Sequence, residues 1–296
     1  MFNKHPKGLI AAALANLGER FGFYTMMAIL VLFLQAKFGM NGKEAGFIYS
    51  TFYFSIYILA LVGGIIADKT RNYKGTIFTG IVLMAVGYLL LAIPSKTPVD
   101  NKMLYLVITC ASLFVIAFGN GLFKGNLQAL VGQMYDNPQY ANMRDSGFSL
   151  FYMFINIGAI FAPFAAVGVR NWWLSTFGYN YDADLPALCH GQLAGTLSPE
   201  ATETYHTLVT KASTAPVQDY TAFASDYLNV FTTGFHYAFG VAIIAMAISL
   251  TIYWLNKKNF PDPSKKTVAS SASSTVVEMS AQEVKQRMYA LFAVFG

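Results

Sequence analysis

Charge is what this sequence has least of. Of 296 residues only 12% are Asp, Glu, Lys or Arg, while 55% are hydrophobic and 16% aromatic, against about 25% charged in an ordinary soluble domain. That composition is one of a polytopic membrane protein. Cysteine is nearly absent: Cys110 lies in an apolar run and Cys189 in a polar one, which gives neither a disulfide framework nor a metal spacing. The histidines stand at 5, 190, 206 and 236, near or beyond the ends of the apolar runs, and His236 reads as an interface residue. No HExxH, CxxC, GxSxG or Walker loop occurs, so nothing in the chain suggests an enzyme or a bound cofactor. The net charge of +5 does not indicate nucleic acid, because the basic residues sit in short segments between apolar runs, where they set membrane orientation.

What is present is a series of apolar runs, each long enough to cross about 30 Å of hydrocarbon at roughly 20 residues. They fall near residues 9 to 36, 45 to 67, 76 to 94, 103 to 133, 147 to 168 and 235 to 256. The first is too long for a signal-peptide core and stays as a helix. A seventh run begins at Met288 and stops at Gly296. The expected fold class is an all-α polytopic membrane protein with a six-helix N-terminal bundle, truncated inside helix seven. Residues 1 to 168 carry helices one to five, 169 to 234 an extracytoplasmic insertion, 235 to 256 helix six, 257 to 284 a Ser, Pro and Lys-rich cytoplasmic linker, and 285 to 296 the start of helix seven. Six crossings put most of the 20 basic residues on one side, Lys69, Arg71 and Lys74 of the short second loop among them. The positive-inside rule places that side, and the N-terminus, in the cytoplasm. The expected location is the plasma membrane, the inner membrane if the source is bacterial, with the lipid bilayer as surroundings.

In the insertion, Ser198 before Pro199 and Glu200 is a helix-start signal, and one or two short helices outside the membrane are expected. The insertion either docks a partner or is an accessory without chemistry, since surface loops lengthen cheaply.

Glu19 and Arg20 sit side by side within the first run. An intramembrane charge costs roughly 3 kcal/mol even on lenient insertion scales, so the pair reads either as part of a substrate or ion path or as a device that pins helix packing. Lys124 lies in the fourth run, in GNGLFKGNLQALVG. Eleven residues separate Lys124 from Tyr135 and Glu19 from Gly8, roughly 16 Å from one membrane end in both cases. Glu19 is thus a plausible counterion for Lys124, and the three charges together leave one net positive charge, which suits an anionic ligand such as a carboxylate. The helical neighbours of Arg20 are Asn16, Phe23 and Tyr24, with Met27 one turn on, a mixed polar and aromatic face of the kind small-molecule sites use. Asp68, followed by Lys69, Arg71 and Lys74, either latches a cytoplasmic gate or anchors a helix end at the interface.

These stretches together resemble the proton-dependent oligopeptide transporters of the major facilitator superfamily. The family's ExxERFxYY is NLGERFGFY here, from Asn16 to Tyr24. Its GGxxAD falls on Gly63 to Asp68, with a tyrosine further up at Tyr57. Its GxGLxKPN is GNGLFKGN from Gly119 to Asn126, and its aromatic helix-five signature is FSLFYMFINIGAI from Phe148 to Ile160. The resemblance implies two six-helix bundles with a mid-membrane substrate site and alternating access. It also implies proton-coupled symport of di- and tripeptides. On that reading Arg20 and Lys124 face the substrate carboxylate, Glu19 is proton carrier or salt-bridge partner, and Tyr24, Tyr57 and Asn156 line the pocket. The chain departs from the pattern at Asn16, Phe23 and Met27, where the family has Glu, Tyr and often Arg, and at Gly125, where it has proline. Arg20 and Lys124 would equally serve another small anion, a carboxylate or nitrate, and a non-transporting membrane sensor is the reading from another class. The first six helices alone would lack the facing wall of such a site and are not expected to transport.

Overall fold

The computed structural model describes residues 4 to 261 in a first unit and, in a second unit of residues 262 to 296, residues 282 to 283, 285 to 287 and 289 to 290. Those seven residues of the second unit are helical and exposed. Most of the expected linker, from 262 to 281, and residues 288 and 291 to 296 of the expected helix seven lie outside the described residues.

The first unit contains α1 (Lys7–Phe38), α2 (Gly42–Thr70), α3 (Tyr73–Ala92), α4 (Lys102–Met134), α5 (Pro138–Ala141), α6 (Arg144–Thr176), α7 (Leu185–Ala194), α8 (Pro199–Ala212) and α9 (Tyr220–Asn256). Six of them, α1, α2, α3, α4, α6 and α9, are long and apolar enough to cross a membrane. Their boundaries follow from local chemistry. Gly39 ends α1 in the left-handed conformation at φ 59°, which costs glycine no side-chain clash. Asn41 then starts α2 with a capping box, its side chain accepting from the Lys43 and Glu44 amides while Glu44 reaches back to its own. Residues 177 to 219 join α6 to α9, and they carry the two short helices α7 and α8. Ser198 caps α8 by accepting from the Ala201 amide at 3.2 Å.

Among apolar helices the driving force for association is close packing, so small residues decide where backbones meet. A Cβ on Gly63 of α2 would overlap the carbonyl of Gly121 on α4, and one on Gly121 would stand 2.5 Å from the Leu59 carbonyl oxygen. Nothing lies within 4 Å of the same position on Gly64. Gly63→Val is therefore expected to abolish the monodisperse size-exclusion peak in detergent, at a cost at or above the top of the roughly 1 to 3 kcal/mol typical of overpacking, because the clash is with backbone. Gly64→Val is expected to keep that peak, and a pair of profiles that do not differ would refute this account of the α2 to α4 seam.

The bundle end that carries Gly39 is tied by buried polar groups. Lys37, just past the end of the first apolar run, is only 1% exposed. Its ammonium donates to the Ser95 carbonyl, to the Lys96 carbonyl at 3.1 Å and to the Thr97 hydroxyl at 2.7 Å. Three donors meet three oxygens, and the buried charge is solvated by the loop between α3 and α4. His236, which the sequence suggests is an interface residue, stands at this same end and is turned inward. It is 4% exposed, its Nδ1–H donates to the Leu91 carbonyl at 2.6 Å, and its ring lies edge-on to Phe33. Helix α9, which begins at Tyr220, packs His236 against Phe33 of α1 and Leu91 of α3. Arg170 is likewise helical, buried against the Tyr181 ring at 3.6 Å. Cys110 and Cys189 are both free, and burial pushes the Cys189 thiol up to about 12.

The α7 to α8 segment also seals the end of α1. His190 donates from Nε2 to the Ala36 carbonyl at 2.8 Å, one of the carbonyls a helix terminus leaves open, and its ring packs where Gly39 lacks a Cβ. Burial, and to a lesser degree the Lys102 ammonium, hold the imidazole below its ordinary value, while the bond to Ala36 works the other way. An unfolded His190 binds its proton near pH 6.5 and the folded one resists it, so this contribution is complete above that pH and declines as pH falls below it. The thermal midpoint should fall from pH 7 to pH 5 by less in His190→Gln than in the parent, and equal falls in the two proteins would count against this assignment.

Candidate functional site

The site begins on α1, whose middle is buried on most sides. Glu19 is 0% exposed and Arg20 5%. Arg20 donates from Nε to Glu19 Oε2 at 2.5 Å and from Nη2 to Oε1 at 2.7 Å, a two-pronged pair between sequence neighbours. Asn120 of α4 donates a third bond to Oε1 at 2.8 Å. Glu19 therefore accepts three hydrogen bonds, two of them from a cation. The expected pairing of Glu19 with Lys124 is not formed: Asn120, one helical turn before Lys124, occupies that oxygen instead.

Lys124 is half-buried, and its ammonium lies 5.4 Å from the centre of the Tyr57 ring. No carboxylate reaches it within ion-pair distance among the described residues. The α2 to α4 seam sets this approach, because Gly63 and Gly121 bring the two helices into backbone contact near Tyr57 and Lys124. Asn126 clamps the seam by donating to the Gly63 carbonyl at 3.1 Å and the Leu122 carbonyl at 2.8 Å. On the other flank, Gly158 of α6 lets that helix approach α1 beside Arg20, its virtual Cβ standing 2.8 Å from the Leu17 carbonyl oxygen.

Aromatic rings surround the two cations. The Arg20 guanidinium lies 4.8 Å from the Phe23 ring centre, and Phe23 is edge-on to Tyr24 and stacked on Phe52 of α2. Tyr57 is exposed, and its hydroxyl lies 3.1 Å from that of Tyr53 one turn earlier. Gln128, one turn after Lys124, reaches the Tyr152 hydroxyl of α6 at 3.5 Å. The structure thus brings Glu19, Arg20, Tyr24, Tyr57 and Lys124 to one region. Asn156 lies on α6 two residues before Gly158, on an exposed face, with no hydrogen bond among the described residues. Asp68 and Arg71 are apart from this region, exposed at the end of α2, where Asp68 accepts from the Tyr73 hydroxyl rather than from Arg71. Arg71 itself closes α2 in the left-handed conformation at φ 51°.

Sequence reasoning missed Asn120, Asn126 and Tyr53. A signal for Asn120 was available, since an amide in an apolar run one turn from Lys124 stands at the depth of Glu19. Chemically the site is a neutral buried pair beside one unpaired cation, ringed by aromatic faces and open on one side. Such a surface binds an anionic group and an apolar body together. No group of three or more His, Cys, Asp or Glu that could hold a metal occurs among the described residues.

Comparison with known proteins bears on this surface. The profile of the POT family matches residues 74 to 294, which excludes Glu19 and Arg20. The chain is similar to the peptide transporter YePEPT of Yersinia enterocolitica, 34% identical over 185 residues, covering 61% of this chain and 34% of that protein. It is similar to dipeptide and tripeptide permease A of an Enterobacter species, 34% identical over 60% of this chain and 32% of the permease. The uncharacterized transporter YclF of Bacillus subtilis is 32% identical over 66% of this chain and 37% of its own. The chain thus spans about a third of the length of these relatives. Among solved structures, a peptide transporter POT in complex with alafosfalin superposes with a TM-score of 0.56 at 26% identity, over 86% of this chain and 39% of that one. Another, in complex with sulfate, covers 98% of this chain and 46% of its own at a TM-score of 0.58 and 23% identity, and shares the fold.

Proposed function

The chain belongs to the POT family, and from that premise we propose that it supplies the N-terminal wall of a secondary active transporter for di- and tripeptides, driven by proton symport. Members of this family are transporters and not enzymes. The observation that carries the reading is Lys124, a membrane-depth cation without a carboxylate partner among the described residues, placed beside Arg20 and the open tyrosine face of α2. The substrate carboxylate binds between Lys124 and the free edge of Arg20, while Tyr24, Tyr57 and Asn156 contact the peptide. Glu19 keeps Arg20 in place. Asp68 and Arg71 act at the cytoplasmic gate, with the N-terminus in the cytoplasm of a cell bounded by this membrane. The α7 to α8 segment faces outside, where it offers the place for a partner.

Competition of labelled dipeptide uptake in proteoliposomes of the full-length protein tests the proposal. Unlabelled dipeptides are expected to compete, and nitrate or simple carboxylates are not. A second reading, a carrier of another small anion, draws support from the same unpaired Lys124, which would accept any such group. Competition by anions with no dipeptide uptake would establish it in place of the first.

A further inference from the structure

The tyrosines of α2 are placed for more than a single pocket contact. Tyr49, Tyr53 and Tyr57 recur every four residues, so they share one stripe that climbs about 12 Å along the helix. The Tyr49 and Tyr53 rings stack with centres 6.4 Å apart and planes 4° apart, and Tyr53 meets Tyr57 at 5.5 Å and 70°. Tyr49 is partly buried against the core, whereas Tyr53 and Tyr57 are 43% and 52% exposed. The stripe is therefore anchored at one end and bare at the other.

Its position argues against lipid. Tyr53 lies 11 residues into α2 and Tyr57 fifteen, roughly 16 and 22 Å from the helix start, well inside a bilayer rather than at the interface where tyrosine is common. The two hydroxyls satisfy only one of their donors by bonding each other, and a spare O–H is costly against hydrocarbon. Another exposed stripe of the same helix is Phe54, Ile58, Leu61 and Ile65, all apolar. One face of α2 thus suits lipid or packed protein, and the tyrosine stripe suits a wet path. Lys124 stands over Tyr57 at the bare end of that stripe, and Tyr53 lies close enough to feel the charges of both Lys124 and Arg20.

We infer that Tyr53 and Tyr57 form a side-chain subsite beside the carboxylate anchor, with Tyr53 as a specificity-determining residue that selects peptides carrying an aromatic or large apolar residue at the carboxyl terminus. One helical turn, about 5.4 Å, separates the ring beneath Lys124 from the Tyr53 ring, the reach of a phenylalanine side chain from its own carboxylate. A carboxylate held by Lys124 therefore delivers its adjacent side chain to Tyr53, and a ring there gains edge-to-face contact. A substrate whose aromatic residue is at the amino end directs it elsewhere. The inference rests on the peptide-transport reading above.

Inhibition of labelled dialanine uptake by Ala-Phe, Phe-Ala and Ala-Ala, in proteoliposomes of the full-length protein, tests it. Ala-Phe is expected to inhibit about fivefold more strongly than Ala-Ala, and more strongly than Phe-Ala. In Tyr53→Ala the ratio of Ala-Phe to Ala-Ala should collapse toward one, and in Tyr53→Phe, which keeps the ring, it should persist. The ratio is internal to each protein, so a lower folded yield does not imitate the result. Equal inhibition by Ala-Phe and Ala-Ala in the parent, or a ratio unchanged in Tyr53→Ala, overturns the subsite while leaving peptide transport standing. Absence of dialanine uptake overturns both.

Discussion

Glu19→Gln is expected to lower the thermal midpoint and the substrate affinity of the full-length protein sharply while leaving its response to a proton gradient in place. Glu19 is fully buried and receives two bonds from Arg20 and one from Asn120. Removing its charge strands the Arg20 guanidinium, 5% exposed, and loss of one partner from a buried pair costs about 3 to 5 kcal/mol. The stranded group is Arg20 and not Lys124, as the sequence alone suggests, because Lys124 is no direct partner of Glu19. The same three bonds engage both carboxylate oxygens, so Glu19 is assigned to holding Arg20 rather than to carrying the proton. With Asn16 in place of a second glutamate on α1, proton coupling is expected to depend on a carboxylate outside the helices described here. Uptake into liposomes with and without an imposed proton gradient, alongside binding and melting measurements, separates the two roles. A Glu19→Gln protein that melts and binds normally, exchanges substrate, and no longer accumulates it would make Glu19 the carrier and overturn this account.

That correction illustrates what the sequence could carry. Hydropathy and length locate six spans because crossing hydrocarbon is a one-dimensional requirement, and a charge in such a span stands out for the same reason. Depth is also one-dimensional, so Glu19 and Lys124 could be placed at one level from a rise of about 1.5 Å per residue. Azimuth is not. Which side of α4 faces α1 depends on the glycine contacts of α3 and α2 with α4, and helices that are apolar all round carry little periodic signal to reveal it. Asn120 and Lys124, one turn apart on the same helix, were therefore exchanged. The same limit hid Lys37 and Arg170, which stand just outside the apolar runs 9 to 36 and 147 to 168 and are buried by tertiary contacts with Thr97 and Tyr181. Tyr53 escaped notice because a tyrosine on a membrane helix is ordinary until its hydroxyl is found on Tyr57.

Lys124→Gln separates binding from folding in the opposite sense to Glu19→Gln. Lys124 makes no ion pair among the described residues, is half-buried, and lies over the Tyr57 ring at 5.4 Å. Surrendering that cation–π contact costs about 0.5 to 1 kcal/mol, and removal of a partly desolvated charge offsets some of it, so the thermal midpoint should barely move. Binding should suffer far more. A hydrogen bond between charged groups contributes about 1.5 to 3 kcal/mol, which corresponds to a tenfold to hundredfold loss of affinity for a dipeptide with a free carboxylate. A dipeptide amide has no such charge to lose, and its weaker binding should be nearly the same in the parent and the variant. The diagnostic quantity is the preference for free acid over amide, measured by competition in the full-length protein: it should fall by the same tenfold or more. A variant that keeps the parent's preference would place the carboxylate elsewhere, on Arg20 alone or beyond these helices, and would remove Lys124 from the site.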